Sequence, residues 1–214
     1  MPLAGQSTPR RRSRRKEARP SEIVDAALAV FAQRGYAAAK LEDIASAAGI
    51  GKGTIYLYFP AKEDLFRAVV RQKLLPNLDQ IDAMIAAHEG SSADLLRLIA
   101  NRLLQLAATD LTAIPKLVLT EAGNFPTIAR FYATVVVRRG MRLLGTVIER
   151  GVERREFRHI DARQVAPIFI APFLLIMLWK HSLGQHAGPI FDPPSLIETH
   201  LNLLLSALAA DRDP

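Results

Sequence analysis

With 214 residues, half of them hydrophobic, the chain can bury a core and is too apolar to be largely disordered, and the absence of cysteine excludes disulfides and thiolate metal sites. Its net charge of +7 is uneven: residues 1–20 hold seven basic side chains against the single acid Glu17, leaving the rest of the chain close to neutral. A basic arm on a near-neutral body points to a polyanion as partner, because each neutralised phosphate releases condensed counterions.

Residues 1–19 read as a flexible basic arm that includes Arg14 and Arg15, with no apolar stretch of the kind an export signal needs. Ser21 is an expected N-cap for a first helix whose apolar residues Ile23, Ala27, Val30 and Phe31 recur at helical spacing, and Arg34 and Gly35 supply a C-terminal cation and a stop. A short second helix is expected from Leu41 through Ala48, ended by Gly49, with Leu41, Ile44, Ala45 and Ala48 inward. A third runs from about Lys52 to Phe59, stopped by Pro60. Two helices of about two turns separated by 49–51 cannot pair side by side, so they must cross steeply on the first helix, which is the helix-turn-helix arrangement.

From Lys62 a long amphipathic helix begins, with Leu65, Phe66, Val69 and Val70 inward and Pro76 expected to bend or end it. Apolar helices follow at about 93–108, 113–122, 126–155, 162–185 and 194–210, with no strand alternation between them. The apolar run from Val165 to Trp179 is interrupted by Pro167 and Pro172 and is about five residues short of a comfortable membrane span. It reads as a buried helix. The fold class is therefore all-α: a three-helix helix-turn-helix domain at 20–66 and a larger helical domain at 67–214.

The segment 31–66, FAQRGYAAAKLEDIASAAGIGKGTIYLYFPAKEDLF, resembles the N-terminal DNA-binding domain of the TetR/AcrR family. The matching residues are Phe31, Gly35 and Tyr36, Ile44 and Ala45, Ala48 to Ile50, Gly53 to Tyr56, Tyr58 and Phe59, then Lys62, Glu63 and Leu65. This likeness is specific over 20–70 and only general beyond. It implies a DNA-binding transcriptional regulator in which Lys52, Gly53, Thr54 and Tyr56 lie in or along the major groove, Tyr58 and Lys62 meet phosphates, and Ile55 and Phe59 are core. The residue types agree with that use, since 51–54 combine small residues, a cation and a hydroxyl at the start of the third helix. The cap positions that the family usually fills with Ser, Thr or Asn hold Lys40, Gly51 and Ala61 here; Lys40 becomes an electrostatic substitute at the phosphates, and Asp43 is placed to reach back to the backbone as half a capping box. The arginine arm is expected to follow the DNA backbone or the minor groove.

A helix at 162–185 that is apolar nearly all round needs both its own domain and a partner chain to cover it. The resemblance implies that the last two helices form a four-helix homodimer interface, for which Ile176, Ile197, Leu201, Leu204, Leu205 and Leu208 are the candidates; a dimer is what two half-sites about 34 Å apart require. The resemblance also implies a small-molecule effector. Leu103, Phe131, Val135, Phe169, Phe173 and Met177 are candidate cavity liners, with Glu121, Asn124 and Arg130 placed to orient a largely apolar ligand; ordinary core packing remains open for each. The five histidines include no pair at i, i+4 and no motif for catalysis is present, so neither metal, cofactor nor enzymatic activity is expected. The resulting expectation is a cytoplasmic repressor released from its operator by an effector. A DNA-binding activator or architectural protein without an effector, and a helical enzyme with an incidental basic tail, stand as the alternatives.

Overall fold

The structure is a computed structural model that describes residues 10–210, with side chains described from residue 20 onward. The described residues are helical throughout, joined by short turns; the one extended pairing among them is an isolated antiparallel bridge between Phe157 and Ala209. The chain forms two compact units that divide between Val69 and Val70.

The first unit contains α1 (Arg10–Ala38), α2 (Leu41–Ala47), α3 (Lys52–Tyr58) and α4 (Lys62–Val69). Residues 1–9 and the side chains of Arg14 and Arg15 lie outside the described residues, so the arm expected there is not placed on DNA. The first helix does not begin at Ser21. Its backbone is helical from Arg10, and Pro20 lies inside it. Residues 10–19 are mostly Arg, Lys, Glu and Ala, all good helix formers, while the fixed φ of proline suits a helix even where its missing N–H costs one bond. At Gly35 the backbone turns to φ +76°, interrupting the helix where the stop was expected.

Helix α1 packs against α4, and Ile23, Ala27, Val30 and Phe31 of the one and Leu65, Phe66 and Val69 of the other are all buried. The rings of Phe31, Tyr36 and Phe66 lie 5.6 to 6.2 Å apart in tilted and edge-on pairs, arrangements that add about 0.5–1.5 kcal/mol each beyond their buried area. Lys62 opens α4 and closes the end of α1: its Nζ donates to the carbonyls of Tyr36 (2.7 Å), Ala37 (3.2 Å) and Ala39 (2.9 Å).

The second unit begins with a π turn at Val70–Leu74, followed by α5 (Leu75–Ala87). Pro76, expected to bend or end the helix opened at Lys62, stands in the first turn of α5 just after the π turn, where its missing N–H is harmless. The π turn opens the backbone ahead of it, and the Asn77 side-chain amide donates to the Lys73 carbonyl at 2.9 Å. Next come α6 (Ser92–Ala107), a 3₁₀ turn at Asp110–Thr112, α7 (Ala113–Glu121) and α8 (Pro126–Tyr132). A second π turn, Ala133–Val137, leads into α9 (Arg138–Glu153), and α10 (Ala162–Lys180), the short α11 (Gly184–Ala187) and α12 (Pro193–Leu208) complete the unit.

Ser91, Asp161 and Asp192 cap α6, α10 and α12 through their side-chain oxygens. The core joins Leu95, Leu96 and Ile99 of α6, Leu143, Leu144, Val147 and Ile148 of α9, Val165, Phe169 and Phe173 of α10, and Ile197, Leu201, Leu204, Leu205 and Leu208 of α12. Among the described residues α10 is the single helix long and apolar enough to cross a membrane, yet one of its faces is committed to this core.

This packing bears on the expected interface. Ile176, Ile197, Leu201, Leu204, Leu205 and Leu208 are all buried within their own chain. The apolar residues left exposed lie on other faces: Ile168, Leu174, Leu175 and Leu178 on α10 and Leu203 on α12. A helix with two apolar stripes looks the same in sequence whichever stripe turns inward; here the leucine ladder at i, i+4 and i+7 of α12 fits its own core.

Candidate nucleic-acid interface

The turn between α2 and α3 is built by a backbone that only a few residue types tolerate. Gly49 adopts φ +64° and follows the last turn of α2, with Gly49 N–H donating to Ser46 O (3.1 Å) and Ile50 N–H to Ala45 O (2.9 Å). This is the Schellman pattern, which satisfies the carbonyls left over at a helix end. After 49–51 the chain re-enters a helix at Lys52, and Ile55 and Phe59 turn into the core with 0% and 9% exposure.

The opposite side of α3 faces outward. Lys52, Gly53, Tyr56 and Leu57 are exposed there, with Lys40 and Gly51 beside them, while Thr54 and Tyr58 are half-buried. A Cβ added at Gly53 would meet nothing within 4 Å, so no neighbour in the chain requires a glycine at that position. Leu57 is 84% exposed, an apolar cost the unit's own fold does not explain. Its place in the outward row, four residues after Gly53, was available in the sequence but passed over.

Neither Lys40 nor Gly51 makes a side-chain cap bond, as the unusual residues at those positions imply. Asp43 does not serve as a capping box: its carboxylate pairs with Arg34 of α1 at 2.9 Å. A second acid missed by sequence reasoning is Glu42. One of its carboxylate oxygens accepts from Lys52 Nζ at 2.9 Å and from the Tyr56 hydroxyl at 3.0 Å. The hydrogen bond from Lys52, with help from the Glu42 backbone and Tyr56, holds this carboxyl down at about 2, and the same contact raises Lys52 and Tyr56 above their ordinary values.

Lys62 departs from its expected use as a phosphate contact. Its three carbonyl partners match the three donors of an ammonium, and its position 4.5 Å from the centre of the Tyr36 ring adds a cation–π contact. Burial, reinforced by Glu63, pushes the Tyr36 phenol well up from its usual range.

The candidate effector residues fall into two groups. Phe169, Phe173 and Met177 are buried, the first two as part of the core cluster, with their rings 5.9 Å apart. Leu103, Glu121, Phe131 and Val135 are half-buried; Phe131 lies beneath the Arg71 guanidinium at 5.7 Å, and Glu121 accepts from the Asn124 amide at 3.3 Å. No group of three or more metal-ligating side chains occurs among the described residues.

A compact helical unit that presents one face of a short second helix, backed by a Gly-turned first helix, is a helix-turn-helix head, and it defines a DNA-binding transcriptional regulator. Residues 23–69 match the model of the bacterial regulatory proteins of the tetR family. The likeness to this family is carried by the head, residues 23–69. It is 27% identical over 153 residues to the fatty acid metabolism regulator protein of Bacillus subtilis, covering 69% of this chain and 77% of that one. It is 45% identical to the HTH-type transcriptional regulator RutR of Escherichia coli K12, over 64 residues that make up 30% of either chain. The crystal structure of the regulator FadR from Bacillus subtilis in complex with stearoyl-CoA superposes with a TM-score of 0.73 at 23% identity, over 88% of this chain and 98% of that one. The strongest sequence likeness lies in the head.

Proposed function

We propose that this regulator is a cytoplasmic, non-catalytic repressor that binds operator DNA as a homodimer through α3 and is released by a small, largely apolar effector. The observation that carries the proposal is the two-sidedness of α3: Ile55 and Phe59 anchor one face, while Lys52, Gly53, Tyr56 and Leu57 stand free on the other. In this reading Lys40, Gly51, Lys52, Gly53 and Thr54 meet phosphates and base edges, Tyr56 and Tyr58 flank them, and Arg14 and Arg15 add sequence-independent contacts. The head spans 20–66 and the effector and pairing domain 67–214, a division three residues before the boundary of the compact units.

The exposed apolar residues Ile168, Leu174, Leu175 and Leu178 on α10 support pairing of two chains, since such a stripe costs free energy in water. For the effector, the likeness to a fatty acid metabolism regulator and to a regulator solved with stearoyl-CoA favours a long acyl chain carried on a coenzyme. The aromatic and aliphatic side chains of α6, α8 and α10 suit such a chain. The effector acts by binding more tightly to the form that cannot grip DNA.

Footprinting the purified chain on DNA flanking its own gene tests this reading. Protection of a palindromic site, relieved by stearoyl-CoA and not by free coenzyme A, is expected. Absence of any protected site would refute operator binding, and protection indifferent to every acyl-CoA would refute this effector class.

A further inference from the structure

We propose that Glu42 is a built-in competitor of DNA for the reading helix, a carboxylate that occupies Lys52 and Tyr56 in the free protein and so lowers the affinity of the head for DNA of any sequence. The inference rests on the assignment of α3 as the DNA-facing helix. Three features of the head carry it.

First, both contacts converge on one oxygen: Lys52 Nζ at 2.9 Å and the Tyr56 hydroxyl at 3.0 Å share Glu42 Oε1. Lys52 and Tyr56 stand four residues apart on α3 and therefore on one side of it. Second, the assembly is open to solvent. The Lys52 side chain is 69% exposed and that of Glu42 38% exposed, so no packing holds the three together and a phosphate can displace the carboxylate. Third, the neighbouring acid is otherwise engaged, since Asp43 pairs with Arg34. Glu42 is thus the acid that acts directly on the outward row of α3. Its carboxyl is held so far down that it stays ionised at every physiological pH.

A lysine already paired with a carboxylate releases no counterion from DNA unless the pair opens, and the carboxylate itself repels the phosphates. Both effects fall on all DNA alike. Glu42 therefore lowers specific and general affinity by the same factor, and the ratio between them stays with the base-edge contacts.

The test uses the full-length protein and a 30-base-pair duplex of random sequence, titrated by fluorescence anisotropy from 50 to 300 mM KCl. Glu42→Gln is expected to bind about 3- to 10-fold tighter at 100 mM salt, with a slope of log K against log salt steeper by about 0.9, one phosphate's worth. In a Lys52→Ala background Glu42→Gln should give a smaller gain in affinity, the part due to phosphate repulsion and the Tyr56 contact, and no steeper slope. Unchanged or weaker binding by Glu42→Gln, while Lys52→Ala weakens binding, overturns the proposal and makes Glu42 a residue that merely positions its partners. If neither variant alters binding and circular dichroism shows both folded, the assignment of α3 itself fails, and this proposal with it.

Discussion

Lys62 touches Tyr36 twice, with its ammonium 4.5 Å from the centre of the phenol ring and 2.7 Å from the carbonyl oxygen of the same residue. Two further carbonyls, of Ala37 and Ala39, complete the set, so one side chain ties the start of α4 to the end of α1. Lys62→Met should destabilise the protein by about 2 kcal/mol, because three backbone acceptors lose a charged donor that no apolar side chain replaces. Thermal melting reads this loss. At a temperature where the variant is folded, the salt slope of DNA binding should be unchanged, whereas a lysine that served a phosphate would take about 0.9 from the slope.

Gly53 presents the opposite case. Open space surrounds the position, and alanine is the better helix former, so Gly53→Ala should leave stability unchanged or raise it by roughly 0.5 kcal/mol. The added methyl group intrudes only on whatever approaches α3 from outside. DNA affinity should fall at least 10-fold in an electrophoretic mobility shift; undiminished affinity in the folded variant would move the contact away from this turn.

The exposed and buried faces of the last two long helices make separable predictions. Leu204→Ala should cost about 2–4 kcal/mol of stability, as a large-to-small change in the core does. Leu175→Glu, on the exposed stripe of α10, should leave the fold intact and convert the dimer to a monomer by sedimentation. A dimer that survives Leu175→Glu places pairing elsewhere.

His181 and His200 make stability depend on mild acid. Burial lowers both from their ordinary value near 6.5; the charge of Lys180 adds to the effect at His181 while Asp110 opposes it, and a backbone hydrogen bond at Phe169 opposes it at His200. His181 Nε2 lies 2.9 Å from the Thr112 hydroxyl oxygen, within hydrogen-bond distance. Because the folded values lie below the unfolded ones, the stability contributed is present above pH 6.5 and is lost as pH falls through the folded values. The urea midpoint should therefore drop between pH 7.5 and 5.5, and the double variant His181→Gln, His200→Gln should flatten that dependence.

Local signals made most of the helical order legible. Gly35, Gly49, Pro60 and Pro126 stand where helices stop or start, and the inward stripes through Phe31, Ile44, Ile55 and Phe66 are buried as their spacing requires. Partners distant along the chain were not legible. Lys62 spends its donors on carbonyls 23 to 26 residues away, and Glu42 reaches 14 residues to Tyr56, distances over which periodicity carries no information. The π turn just before Pro76 has no clear sequence signature. The inward side of α12 was not legible for a different reason: with leucine on several faces, composition alone does not choose the one that meets α6 and α10.

The wide turn at Ala133–Val137 holds α9 in a particular rotational setting. Each residue of an α-helix advances it by about 100°, and a π turn absorbs one residue beyond the regular count. The turn thus takes up one residue while Leu143, Leu144, Val147 and Ile148 keep facing the core, whereas a deletion within α9 itself would rotate the residues beyond it by about a quarter-turn. That extra residue is slack in the phase of the domain's most amphipathic helix, and a single deletion is better tolerated in this turn than anywhere in the helix that follows it.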